Sequence, residues 1–184
     1  HSALLLAGAL IFCIVHKEYR YWFRHPGPYL AVLICVVISL PIFIWNAENN
    51  WVSFVFQGSR AGSEEGFTLY PQYLLRSIIG QSLWLAPWIW IPLLIVFIKA
   101  FKNIHTQKKH FFIAAIAILP IFIFTIVTLW RNTLFHFHWQ APGYLMLFVL
   151  LGERTAARFD SSELLRRKVK RWIRFSAAAA VVVL

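Results

Sequence analysis

Two stretches of this chain set cationic and amide side chains among aromatic rings. In one, Arg131, His136, His138 and Gln140 are interleaved with Trp130, Phe135, Phe137 and Trp139. An arginine beside aromatics at a membrane surface suits a phosphate at headgroup depth and a sugar stacked on a ring. In the other, Asn46, Glu48, Asn49 and Asn50 abut Trp51, and Arg60, Glu64, Glu65 and Arg76 follow, with Gly58, Gly62 and Gly66 suggesting a mobile loop. Arg60, Arg76, Arg131, His136, His138 and Gln140 are therefore the candidate ligand-contacting residues. His136 and His138 are not expected to bind a metal: two residues apart they leave a helix on opposite faces, and no third ligand is evident. Glu64 and Glu65, adjacent in a Gly/Ser loop, read as solvated. There is no nucleophile motif, phosphate loop or glycine fingerprint, so no catalytic residue and no cofactor is expected within these residues.

The elements that must position these groups are apolar. Sixty per cent of the residues are hydrophobic and the mean hydropathy is +0.65, beyond what a soluble domain can bury. The apolar residues form uncharged runs separated by short basic stretches, as in a membrane protein. The net charge of +11 does not point to nucleic acid, because each basic cluster adjoins an apolar run rather than forming a patch on a soluble domain. Cys13 and Cys35 lie inside such runs and read as small hydrophobes. The expected fold is all-α and polytopic, with about six spans over residues 2–15, 29–45, 77–98, 111–129, 134–151 and 175–184. The first and last look cut, since the chain opens on His1 without a leader and closes in an apolar run.

Charge orders these spans. Segments 16–28, 99–110 and 152–174 carry three, four and eight Lys or Arg, whereas 46–76 and 130–139 hold only Arg60, Arg76 and Arg131. The two kinds alternate, which puts the rich segments in the cytoplasm and the poor ones outside. The segment ending at Leu151 is the weakest span: it must be counted from Leu134 to reach 18 residues, but leaving it in place keeps the eight basic residues inside. Two connections should be helical. Ser53, Gln57 and Arg60 oppose Val52, Val55 and Phe56, which reads as a short helix in the outer interface. Leu165, Val169 and Trp172 form a stripe beside Arg166, Arg167, Lys170, Arg171 and Arg174, with Asp160 and Glu163 as a capping box; this reads as a basic amphipathic helix touching anionic lipid. Segments 29–45, 77–98 and 111–129 contain no Asp, Glu, Lys, Arg or His, which counts against an ion-coupled transporter.

The run Leu40-Pro41-Ile42-Phe43-Ile44-Trp45-Asn46-Ala47-Glu48-Asn49-Asn50-Trp51-Val52-Ser53-Phe54 resembles a signature of bacterial membrane glycosyltransferases. These belong to the dolichyl-phosphate-mannose protein mannosyltransferase superfamily, which includes the aminoarabinose transferases. Arg24 to Tyr29, Gly80-Gln81 with Pro87, and His138-Trp139-Gln140-Ala141-Pro142-Gly143-Tyr144-Leu145 extend the likeness in the same order. The resemblance implies a C-type glycosyltransferase fold that moves a sugar from a polyprenyl-phosphate carrier to a lipid, glycan or protein acceptor on the periplasmic side of a bacterial inner membrane. It places the catalytic carboxylate in a first external loop upstream of this sequence, so these residues alone should be inactive. The competing expectation is a non-enzymatic flippase or transporter of lipid-linked glycans.

Overall fold

The computed structural model describes residues 2–61, 69–129 and 137–183. Among them there are helices and turns but no strand. The apolar segment 2–15 forms α1 (Ser2–Val15). A 3-10 turn, Lys17–Phe23, carries the chain into α2 (Pro26–Glu48), whose start is fixed by two prolines in the first turn and by His25, whose Nδ1 accepts from Gly27 N–H at 3.1 Å. The short helix expected at 51–60 is α3 (Val52–Ala61). Then come α4 (Pro71–Trp84), α5 (Pro87–Lys102), α6 (Lys108–Ile126), α7 (Ala141–Ser161) and α8 (Glu163–Val183).

Among the described residues two helical stretches are long and apolar enough to cross a membrane, Pro26–Glu48 and Lys108–Leu129. The expected span at 77–98 is not one rod. It is the meeting of α4 and α5 at 109°, a broken span or a re-entrant loop. The break has a local cause. Pro87 has no N–H to continue the ladder, and Ala86 sits at φ 63° and ψ 127°, a sparsely populated conformation that costs a residue other than glycine about 1–3 kcal/mol. The elbow closes on its own backbone: Leu85 N–H donates to Gln81 O, and Ile89 and Trp90 N–H both donate to Ala86 O.

The core lies between α5, α6 and α7, with Leu93, Val96, Ala114, Ala117, Tyr144, Leu147 and Leu150 at its centre. A second cluster joins α1 to α6 through Phe12, Phe111 and Ala115. Small residues set both spacings. A β-carbon on Gly8 would sit 2.2 Å from Ala115 O, and one on Gly143 would sit 2.6 Å from Ala117 O. Such close backbone approach is how helices associate where lipid supplies no hydrophobic drive.

The basic amphipathic helix differs from expectation in three ways. Its cap is Ser162, whose Oγ accepts from Leu165 N–H at 3.3 Å, and not Asp160. It runs on through the apolar tail as one helix to Val183. Its Leu165–Val169–Trp172 stripe faces protein, with Val169 buried and Trp172 packed against the core. The contact with α5 is specific. Pro92 cannot donate to the carbonyl four residues back, Trp88 O, and the Trp172 indole N–H fills that vacancy at 3.1 Å.

Candidate functional site

Of the six residues proposed from sequence, two have described side chains. Arg76 is exposed on α4, one residue before the buried Ser77. Gln140 ends the 3-10 turn Phe137–Gln140, which packs against α4, α6 and α7, and it is 2% exposed. Arg131 and His136 lie outside the described residues, as do the side chains of Arg60 and His138. Among the described residues no three His, Cys, Asp or Glu side chains gather closely enough to hold a metal ion.

The structure adds a polar cluster at the elbow, where the sequence reading saw only uncharged spans. Trp90 Nε1–H donates to Tyr144 Oη at 2.9 Å, and the Tyr144 hydroxyl donates to Gln81 Oε1 at 2.7 Å. Gln81 Nε2 donates in turn to Ser77 Oγ and Thr125 Oγ1, both at 3.1 Å, and Thr125 Oγ1–H ends the chain on Ile121 O. Gln81, Ser77 and Tyr144 are at most 2% exposed. The cluster therefore ties α4, α5, α6 and α7 at one point and holds the 109° bend. The available signal was Gln81 itself: an amide in an apolar segment must find partners, since an unpaired buried polar group costs about 1–3 kcal/mol.

Gln140 stands one helical turn before Tyr144. Its Oε1 is buried with no hydrogen-bond donor among the described residues, unlike every oxygen in the cluster beside it. It is an unused acceptor for a hydroxyl or amide, on a turn packed against α4, α6 and α7. The cluster itself is uncharged and has no paired nucleophile and base, so it positions groups rather than performing proton transfer.

No family model matches the chain, nor does any curated protein or solved structure.

The Trp45–Phe54 motif is a corner. Asn46, 1% exposed, donates through Nδ2 to Ile42 O at 2.9 Å while its Oδ1 accepts from Ser53 N–H at 3.2 Å and its carbonyl from Trp51 N–H at 2.7 Å. Asn50 and Trp51 turn the chain with φ 53° and 56°. One side chain thus closes the end of α2 and caps α3. Asn46→Ala should cost about 1 kcal/mol and increase proteolysis after Asn49. Limited proteolysis in detergent measures it; a cleavage pattern identical to wild type would show the corner holds without the amide.

Proposed function

We propose that this chain is the scaffold part of an integral membrane glycosyltransferase, multi-pass in a bacterial inner membrane. It would help move a sugar from a polyprenyl-phosphate carrier to a lipid, glycan or protein acceptor on the periplasmic side. In this reading α1, α2, the α4–α5 pair, α6, α7 and α8 form six passes, with the basic segments cytoplasmic. The observation that carries it is the convergence of separate motifs of the resemblance. Gln81 and Pro87 belong to one, Gln140 and Tyr144 to another more than fifty residues later, and the Tyr144–Gln81 hydrogen bond joins them at a buried point. The orphaned Gln140 carbonyl beside that point is suited to a sugar hydroxyl, and the cationic Arg76, Arg60 and Arg131 on the two external connections to a carrier phosphate.

The test is sugar transfer from a polyprenyl-phosphate donor by the full-length protein in membrane vesicles. Arg131→Ala should raise the KM for the donor roughly 10-fold, the effect of losing one charge-assisted hydrogen bond, with kcat little changed. Unaltered kinetics at normal expression would remove Arg131 from the phosphate site. Absence of transfer by the wild type, together with movement of a lipid-linked glycan across the vesicle, would replace the enzyme by a flippase.

A further inference from the structure

A second site lies away from that end, between α5, α7 and α8. A cleft of about 290 Å³ has an apolar floor of Pro92, Ile95, Leu151, Val169 and Trp172, and a rim carrying Arg154, Arg158 and Lys168. Three cations and no carboxylate line it. Of the nearby acids, Glu18 pairs with Lys108, Glu153 with His110, and Glu163 with Arg166 and Arg167, while Asp160 is exposed at the end of α7 and does not line the cleft. Arg154, Arg158 and Lys168 have no ion-pair partner among the described residues, although Arg154 is only partly exposed. Burial, and after it the charge of Arg158, holds the Arg154 guanidinium below its ordinary pKa. A bound anion would relieve that repulsion.

We propose that this cleft is a binding site for one anionic phospholipid, its phosphate on Arg154, Arg158 and Lys168 and an acyl chain on the floor. The charge calls for an anion and the floor for a chain attached to it. The same helices expose further apolar side chains, Ile91 and Ile98 on α5 and Ile173 and Phe175 on α8, on which a tail longer than the floor could lie. A free phosphate would leave the floor uncovered. An acidic peptide would find no backbone partner there, because the helices use their own N–H and C=O groups and the carbonyl freed by Pro92 is already taken by Trp172. The site requires only that the protein sits in a membrane, and does not depend on sugar transfer. It gives α8 a role beyond its positive charge: the lipid would fasten α8 to α7 and α5 at headgroup level.

The experiment uses the full chain in nanodiscs of phosphatidylcholine containing spin-labelled phosphatidylglycerol, read by electron spin resonance as the immobilised lipid fraction. Arg154→Gln with Arg158→Gln should weaken phosphatidylglycerol association roughly 25-fold, at about 5-fold per cation, and leave spin-labelled phosphatidylcholine unaffected. The control is Arg166→Gln with Arg167→Gln, which removes the same charge from the same helical hairpin outside the cleft and should change association less than 2-fold. Arg154→Lys with Arg158→Lys should retain binding, which separates loss of charge from loss of folding. An equal loss in the cleft and control variants would overturn the site in favour of diffuse surface attraction. So would displacement of the lipid by millimolar inorganic phosphate, or a change of oligomeric state in place of a change in lipid binding, which would make the occupant a free anion or a second copy of the chain.

Discussion

Gly8→Val should release α1 from the helical body. The first added atom already falls 2.2 Å from Ala115 O and 2.5 Å from Ile116 Cα, and these are backbone atoms of α6 that cannot rotate aside. The two helices must separate, and Phe12 then leaves its place against Phe111. Overpacking typically costs 1–3 kcal/mol, and the upper end of about 3 kcal/mol applies where the obstacle is main chain. Thermal unfolding of the detergent-solubilised protein should show a clear loss of stability, and a cysteine pair engineered across α1 and α6 should no longer cross-link. Gly152→Val is the comparison: nothing lies within 4 Å of a β-carbon there, so it should be close to neutral. Equal behaviour of the two variants would refute close α1–α6 packing.

Tyr144→Phe should be nearly as damaging while removing a single oxygen. It strips the acceptor from Trp90 Nε1–H and the donor from Gln81 Oε1, leaving two polar atoms without their partners in the tightest part of the core. At about 1 kcal/mol for each group, moderated because helices in a membrane find alternative partners, the loss is about 1–2 kcal/mol. The double variant Tyr144→Phe with Gln81→Leu should recover part of it, since the amide no longer needs satisfying. A double-mutant cycle on thermal stability measures the coupling; strict additivity would mean that the two side chains do not act together. Loosening of the α4–α5 elbow should also appear as faster hydrogen exchange at Leu85 and Ala86 than in wild type.

These two sites mark the border between what the sequence discloses and what it conceals. Uncharged apolar runs announce α1, α2 and α6 directly, because the length and character of such a run are local properties. The amphipathic spacing of Val52, Val55 and Phe56 announces α3 in the same way. The elbow is different. Pro87 hints at it, but prolines 41, 92 and 120 lie inside unbroken helices, so a proline alone does not say whether a helix ends. Ala86 and Pro87 break the ladder locally, but what holds the bend is the Gln81–Tyr144 pairing, formed between residues 63 apart in the chain. The direction of α8 was hidden for a similar reason: a stripe of Leu165, Val169 and Trp172 beside a basic face looks the same whether lipid or protein covers it, and the carbonyl that draws Trp172 inward is exposed only because Pro92 is on another helix. At the candidate site, Gln140 was found from its company of aromatic and cationic neighbours, whereas its unanswered carbonyl is a property of packing.

Helix α2 is held differently from all its neighbours. Through its length of 23 residues only Asn46 is buried, and its main contacts among the described residues are with the turn before it and α3 after it. Between Tyr29 and Trp45 its large apolar side chains, and Cys35 with them, are exposed around the whole circumference. A rod fastened at its tips carries its structural constraints there. Among the described residues nothing packs along its middle, so exchanges among Leu, Ile and Val between Leu30 and Leu40 should leave thermal stability close to unchanged. Its ends are another matter: Tyr29 Oη donates to Phe23 O at 2.6 Å, His25 Nδ1 caps the first turn through Gly27 N–H, and Asn46 joins the helix to α3, so replacing any of the three should be felt.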